Sequence, residues 1–161
     1  MTTNPVAAPN GRVVILPASW RDLNALRAIE QACFPKDAWP LLDLIGVLTL
    51  PNVIRLKAIC VGKMVGFIAS DLRRAEGLAW IATIGVLPGY RQRGVGTALL
   101  QACEARLEMP LIRLSVRAYN HPALRLYNRL GYRQYVIWPR YYSDGEDAIL
   151  LEKGRGTVVR I

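Results

Sequence analysis

The stretch that decides the fold reads VLPGYRQRGVGTALLQACEARL, residues 86–107. Its first eleven residues hold one proline, two arginines and three glycines. Behind them Val95, Ala98, Leu99, Ala102 and Cys103 recur at helical spacing. In front of them LAWIATIGV, residues 78–86, reads as a strand. A strand that turns through glycine into a helix leaves the first helix amides unpaired, at the positive end of the helix dipole. Glycine lets an anion come close to that backbone, and Arg91 and Arg93 add charge. The pattern suits a phosphate or pyrophosphate. It is not the dinucleotide fingerprint, which needs glycine where Leu99 stands, nor a Walker loop, which needs Gly-Lys-Ser/Thr. Read alone, it also fits a plain glycine-rich connection with surface arginines.

Outward from this turn the chain alternates strands and helices. GRVVIL (11–16) reads as a strand, and Ser19 as the cap of a helix running to about Cys33. Leu23, Leu26, Ala28, Ile29 and Ala32 lie on or near one face of it. FPKDAWP breaks the helix, and a second apolar helix follows at about 40–50. VIRLKAICV (53–61) and MVGFIASDL (64–72) are strand-like, with Gly62-Lys63 suiting a type II′ turn between them. After the glycine turn come a helix over about 94–107, a strand LIRLSV (111–116), and a helix capped by Asn120 and stopped by Gly131. Residues 132–138 and 147–153 read as a final antiparallel pair. The predicted class is α/β of the α+β kind: a mixed, mostly antiparallel sheet of about seven strands with about four helices. The strand–helix–strand step through residues 81–117 pairs its strands in parallel. One domain over 12–153 is expected, between a flexible N-terminus (1–11) and a basic tail (154–161).

Composition narrows the function classes. The 161 residues are 52% hydrophobic and 20% charged, which argues against a disordered chain. Met1–Asn10 has no signal-peptide pattern, and the longest nearly apolar run, WPLLDLIGVLTL, is broken by Asp43 and too short for a bilayer. A soluble, cytoplasmic protein with no membrane partner is expected. Cys33, Cys60 and Cys103 stand far apart and are expected to be reduced, and a single histidine argues against a metal site. That histidine, His121, is expected to be exposed and structural. The net charge of +9 comes from scattered arginines, and aromatic–basic interleaving is confined to YRQYVIWPRYY (132–142), so no direct nucleic-acid binding is expected.

Two motifs at matching spacing carry a resemblance. VLPGYRQRGVGTALL resembles the coenzyme loop of the GNAT superfamily of N-acetyltransferases, with its Arg/Gln-x-x-Gly-x-Gly/Ala core. LSVRAYNHPALRLYNRLGYRQYVIWPRYYSDGEDAILLEK (114–153) is similar to the protein N-terminal acetyltransferases, the ribosomal-protein alanine enzymes among them. The shared positions are Asn120, Ala123, Leu126, Tyr127, Gly131 and Tyr132, then Tyr141, Tyr142, Glu146, Asp147 and Ala148. The likeness covers residues 12–153 and is strongest from 80 onward. It implies a GNAT-like sheet whose parallel strand pair splays to hold the cofactor, acetyl-coenzyme A.

The resemblance also implies roles. Arg91, Gln92, Arg93, Gly94, Val95 and Gly96 would bind the pyrophosphate, with Thr97 as a hydroxyl contact. Ile84, Gly85 and Val86 would pair with the pantetheine arm, and Gly85 by itself reads as a bulge or close-approach point. Asn120 falls at a position near the pantetheine and is equally a helix cap. Tyr127 would protonate the departing thiolate. Tyr141 and Tyr142 would wall the acceptor peptide, opposite Phe34 and Pro35. Trp39 and Trp80 read as packing residues.

One expected group is missing. Bacterial relatives carry Glu where this chain has Ser115, and some eukaryotic relatives carry Tyr where it has Trp80. Neither residue is a base near neutrality. A water held by Ser115 or Thr83 would serve as relay, with Glu30 and the DGED acids as other candidates. A free α-amine, of pKa about 7.7–8, is roughly one-tenth neutral at pH 7. The rate is therefore expected to follow the amine's own ionisation. The implied function is acetyl transfer to the N-terminal α-amine of a protein or peptide, ribosomal proteins included. A small-molecule amine acetyltransferase and a non-catalytic acetyl-coenzyme A-binding module stay open as alternatives.

Overall fold

A computed structural model describes residues 6–8 and 11–156 of the chain. Contacts divide it into two compact units: the residues up to Asp71 with Ala82–Leu107, and Leu72–Ile81 with Glu108 onward.

In the first unit, strand β1 (Val6–Ala8) pairs antiparallel with β2 (Gly11–Pro17), β2 with β3 (Val53–Cys60), and β3 with β4 (Lys63–Arg73). β1 adds a strand that the sequence did not announce, inside the segment expected to be flexible. The rest of that expectation, residues 1–5 and 9–10, lies outside the described residues, as do 157–161 of the expected basic tail. The β3–β4 turn differs from the prediction by one residue. Cys60 pairs with Lys63, so Val61 and Gly62 form the loop, at φ 49° and 72°. Positive φ at both central residues belongs to a type I′ turn, whose twist matches the strands. The exposed Val61 adopts a backbone that β-branched residues rarely take.

Between the pairs Ala58–Gly66 and Ile59–Met64, Val65 is the extra residue of a bulge. Its carbonyl accepts the Leu87 amide at 2.8 Å, just past the end of β5 (Leu78–Val86). Two helices cover one face. Ser19 caps a 3₁₀ turn (Trp20–Asp22) through a capping box before helix α1 (Leu23–Cys33) begins. Leu26 and Ile29 of α1 join Leu44, Val47 and Leu48 of α2 (Leu41–Thr49) over Met64, Phe67 and Ala69 of β4. The Arg55 guanidinium binds the carbonyls of Leu48, Leu50 and Val53, satisfying the end of α2. On α1 the buried residues are Leu26, Ile29 and Glu30, whereas Ala28 and Ala32 are exposed. The inward stripe thus runs through a glutamate instead of the two alanines. Helix α3 (Val95–Glu104) lies against Gly66, where a Cβ would meet Leu99 Cδ1 at 2.9 Å and Val95 Cγ1 at 3.4 Å. Because successive strand residues alternate sides, α3 and the α1–α2 pair cover opposite faces of β4.

In the second unit, Leu78–Trp80 of β5 pair in parallel with Leu111–Arg113 of β6 (Leu111–Arg117). β6 pairs antiparallel along its whole length with β8 (Ala148–Gly154), and β8 with β7 (Arg133–Trp138). Helix α4 (His121–Arg129) is capped by the Asn120 side chain, which accepts the Ala123 amide at 3.3 Å, and Gly131 ends it at φ 92°. The class is mixed α/β with a mostly antiparallel sheet and one parallel pair, as the sequence predicts.

Candidate active site

The glycine turn belongs to the first unit. After β5, Pro88–Tyr90 form a 3₁₀ turn, Gln92 takes φ 60°, and Gly94 takes φ 80° as the residue before α3. No side chain caps α3, so its opening amides keep their donors for a ligand. Arg91 Nε donates to the Val86 carbonyl at 2.8 Å and ties the turn to the end of β5. Arg91 and Gln92 are exposed, and the Arg93 guanidinium sits 5.9 Å from the Tyr90 ring. Thr97 is half-buried in the first turn of α3, Val95 is buried, and Gly96 is half-buried. An α3 start without a side-chain cap, behind left-handed backbone at residues 92 and 94, is the kind of turn that accepts a phosphate group. The residues present therefore fit a pyrophosphate.

The strand entering this turn is built for close approach. A Cβ on Gly85 would meet Cys33 Sγ at 3.2 Å, with Cys33 Cβ and Ile29 Cγ2 both at 3.4 Å. Glycine at 85 lets α1 lie directly on β5. Ile84 and Val86, half-buried, alternate to the other side. The Cys33 thiol donates to the Val86 carbonyl at 3.3 Å. Burial pushes that thiol up, and Arg91 opposes the shift. Phe34, half-buried, closes α1 by donating its amide to the Glu30 carbonyl at 2.8 Å, and Pro35 next to it is exposed.

Beside Gly85 lies a group the sequence reading named but did not place. Glu30 is 2% exposed. Its Oε1 accepts the Thr83 hydroxyl at 3.0 Å, across 53 positions of chain, and its Oε2 accepts the Trp39 amide at 3.4 Å. Burial raises its pKa from the usual carboxylate range, and the two hydrogen bonds only partly counter this. A sequence signal existed: Glu30 stands four residues after Leu26, on the apolar stripe of α1. A carboxylate on such a stripe is costly unless it is bonded or used.

The other predicted residues fall in the second unit. Tyr127, 5% exposed, points inward from α4 with its ring edge-on to Tyr132 at 5.8 Å. Burial, with Tyr142 nearby, drives its pKa well above that of a free phenol, so it keeps its proton at neutral pH. Ser115 sits half-buried on β6 opposite Leu150. Trp80 stacks on Trp138 at 6.4 Å, with the Arg73 guanidinium 5.4 Å from its ring. Trp138 meets Tyr141 at 5.2 Å, and Tyr141 meets Tyr142 at 5.1 Å. Tyr141 is 54% exposed. Arg117 organises the loop carrying the two tyrosines. It binds both oxygens of Asp144 at 3.0 Å, binds Glu146 Oε2 at 2.6 Å, and covers the Tyr142 ring at 4.0 Å. Arg117 and the Tyr119 amide hold the Glu146 carboxyl below its usual range. His121 is exposed beside Tyr119. Among the described residues no helix is long and apolar enough to cross a membrane.

These features converge on one family. The model of the Acetyltransferase (GNAT) family matches residues 23–132, and the chain belongs to that family. An uncharacterized N-acetyltransferase of Methanocaldococcus jannaschii is 36% identical over 146 residues, 88% of this chain and 91% of its own. The catalytic subunit NAA10 of the N-terminal acetyltransferase A complex of Arabidopsis thaliana is 30% identical over 148 residues, 88% of this chain and 77% of that one. The crystal structure of the ribosomal-protein-S18-alanine N-acetyltransferase from Escherichia coli superposes with a TM-score of 0.80 at 28% identity, over 92% of this chain and 99% of that one. The chain is thus an acyltransferase that draws its acetyl group from acetyl-coenzyme A.

Proposed function

We propose that this protein is a cytoplasmic N-acetyltransferase that acetylates the N-terminal α-amine of a protein or peptide, a ribosomal protein being one candidate acceptor. The observation that carries this reading is the loop held by Arg117, which presents Tyr141 and Tyr142 as an aromatic wall with Tyr141 half open to solvent. An exposed wall of that kind suits an extended peptide end better than a small free amine, which needs enclosure to be bound at all.

The roles follow from the chain's own groups. The opening amides of α3, from Gly94 to Thr97, with Arg91, Gln92 and Arg93, would hold the pyrophosphate. Backbone of Ile84, Gly85 and Val86 would run beside the pantetheine arm, and Asn120 would contact it while capping α4. When bound, the coenzyme supplies a thioester carbonyl and a thiolate leaving group. Tyr127, protonated at neutral pH, would donate to the sulfur as charge grows there. Its raised pKa makes it a hydrogen-bond donor to that charge more than a strong acid. Ser115 would hold a water near the amine, and Phe34 and Pro35 would line the acceptor end.

The test pairs labelled acetyl-coenzyme A with a peptide library varied at its first two residues, beside a panel of small amines. Peptide α-amines should be acetylated at pH 7 in preference to lysine side chains, whose ammonium proton, at a pKa of about 10.4, is harder to remove than that of an α-amine at about 7.8. Transfer to small amines but to no peptide would overturn the substrate assignment. Coenzyme binding with no transfer to any amine would favour a binding module.

A further inference from the structure

The ammonium proton of the acceptor still needs an acceptor of its own, since neither Ser115 nor Trp80 is a base near neutrality. We propose that Glu30 is the terminal acceptor of that proton, reached through the Thr83 hydroxyl. This rests on the proposed transfer to an amine at the end of β5.

Thr83 is adjacent in sequence to Ile84–Val86, the segment assigned to the pantetheine arm, and its hydroxyl donates to Glu30 Oε1 at 3.0 Å. A hydroxyl that donates to a carboxylate keeps its lone pairs for a donor on its other side. An ammonium placed there gives one proton to Thr83 Oγ1 while Thr83 passes its own to Glu30 Oε1. The freed nitrogen lone pair forms the C–N bond, and the C–S pair leaves on sulfur. The second nitrogen proton reaches the departing sulfur through water. Glu30 returns its proton to solvent after the product leaves. The sum is one acetylated amine, one thiol and one proton released.

A structural role alone explains Glu30 poorly. Its Oε2 bond to the Trp39 amide would secure the loop after α1, and a glutamine could do the same. Burying an ionisable group at 2% exposure is costly, and glutamine or an apolar residue would avoid that cost. The groups around the carboxylate keep it responsive. Cys33 lies one turn further along α1, and the Arg91 guanidinium acts on Cys33 from the glycine turn. Thr83 and the Trp39 amide are neutral donors. The core on this face, with Leu44 and Val47 from α2 and Met64 and Phe67 from β4, brings no charge among its buried members. Burial shifts the carboxyl toward neutrality, which strengthens it as a base near working pH.

The expectation from the sequence, a rate that follows the amine's own ionisation, changes accordingly. The experiment measures kcat from pH 5.5 to 9 at saturating peptide, with two peptides whose α-amine pKa values differ. The full chain should show one acidic limb shared by both peptides and a plateau above it. In Glu30→Gln the limb should move to each peptide's own amine pKa. The loss should be about tenfold or more at pH 6.5, where a small fraction of amine is neutral, and should shrink toward pH 9. Thr83→Val should behave as Glu30→Gln does, and Thr83→Ser should restore the shared limb. Calorimetric coenzyme binding should be unchanged in all three, which separates lost proton transfer from lost folding. Should Glu30→Gln not fold, the two Thr83 variants carry the same test. A full-chain limb that already tracks each amine, or a Thr83→Val profile equal to that of the full chain, overturns the relay. If the full chain binds coenzyme and acetylates no amine, the proposed function itself fails, and that result is visible without any variant.

Discussion

Replacing Tyr127 with phenylalanine isolates a single oxygen atom. The ring is 5% exposed and packs edge-on against Tyr132 at 5.8 Å, and phenylalanine fills the same space. Loss of the hydroxyl should therefore change folding stability by no more than about 1 kcal/mol, the net value of one ordinary hydrogen bond. The effect on turnover should be far larger. General acid assistance is worth about 10²–10⁴ in rate, or about 2.7–5.4 kcal/mol of barrier at 1.36 kcal/mol per tenfold. Burial and Tyr142 hold the phenol's pKa well above its usual value, so the proton is present across the whole working range and Tyr127 itself imposes no alkaline limb on activity. The folded phenol keeps its proton where the unfolded one ionises, at about pH 10, so stability from this group falls only above that pH. The assay is single-turnover acetylation of a peptide by Tyr127→Phe, with coenzyme affinity measured calorimetrically alongside. A fall of about a hundredfold or more with affinity intact is expected. Turnover within threefold of the unmodified chain would show that Tyr127 only packs, and the assigned acid would be wrong.

Two further outcomes follow from contacts already described. Gly66→Ala puts a Cβ 2.9 Å from Leu99 Cδ1 and 3.1 Å from the Gly85 carbonyl, so it should destabilise by about 1–3 kcal/mol and lower Tm by several degrees in a thermal melt. Arg117→Ala removes the cation shared by Asp144, Glu146 and the Tyr142 ring. It should raise the peptide KM severalfold and leave coenzyme affinity unchanged in steady-state and calorimetric measurements.

Much of the fold was legible because its signals are local. The capping box at Ser19, the strand-like apolar runs of β3 and β4, and the Asn120 cap with its Gly131 stop all depend on residues a few positions apart. Local reading erred where two local choices were nearly equal. Gly62-Lys63 and Val61-Gly62 both supply a glycine, and the twist of the paired strands selected the second at the cost of a left-handed valine. On α1 the expected stripe through Ala28 and Ala32 gave way to Glu30, because the helix turned its carboxylate toward Thr83.

The sequence by itself determined the glycine turn at 91–97, the tyrosine on α4 and the aromatic pair at 141–142. Each is a short motif whose chemistry lies in contiguous backbone and fixed spacing. Only the tertiary structure decided the partnership of Glu30 with Thr83 and the clamp of Arg117 on Asp144 and Glu146. These contacts join side chains 53, 27 and 29 residues apart. Over such separations the chain places no constraint of its own. The distance between two side chains is set by helix-on-sheet packing in one case and by strand register in the other, and neither is written in spacing along the sequence.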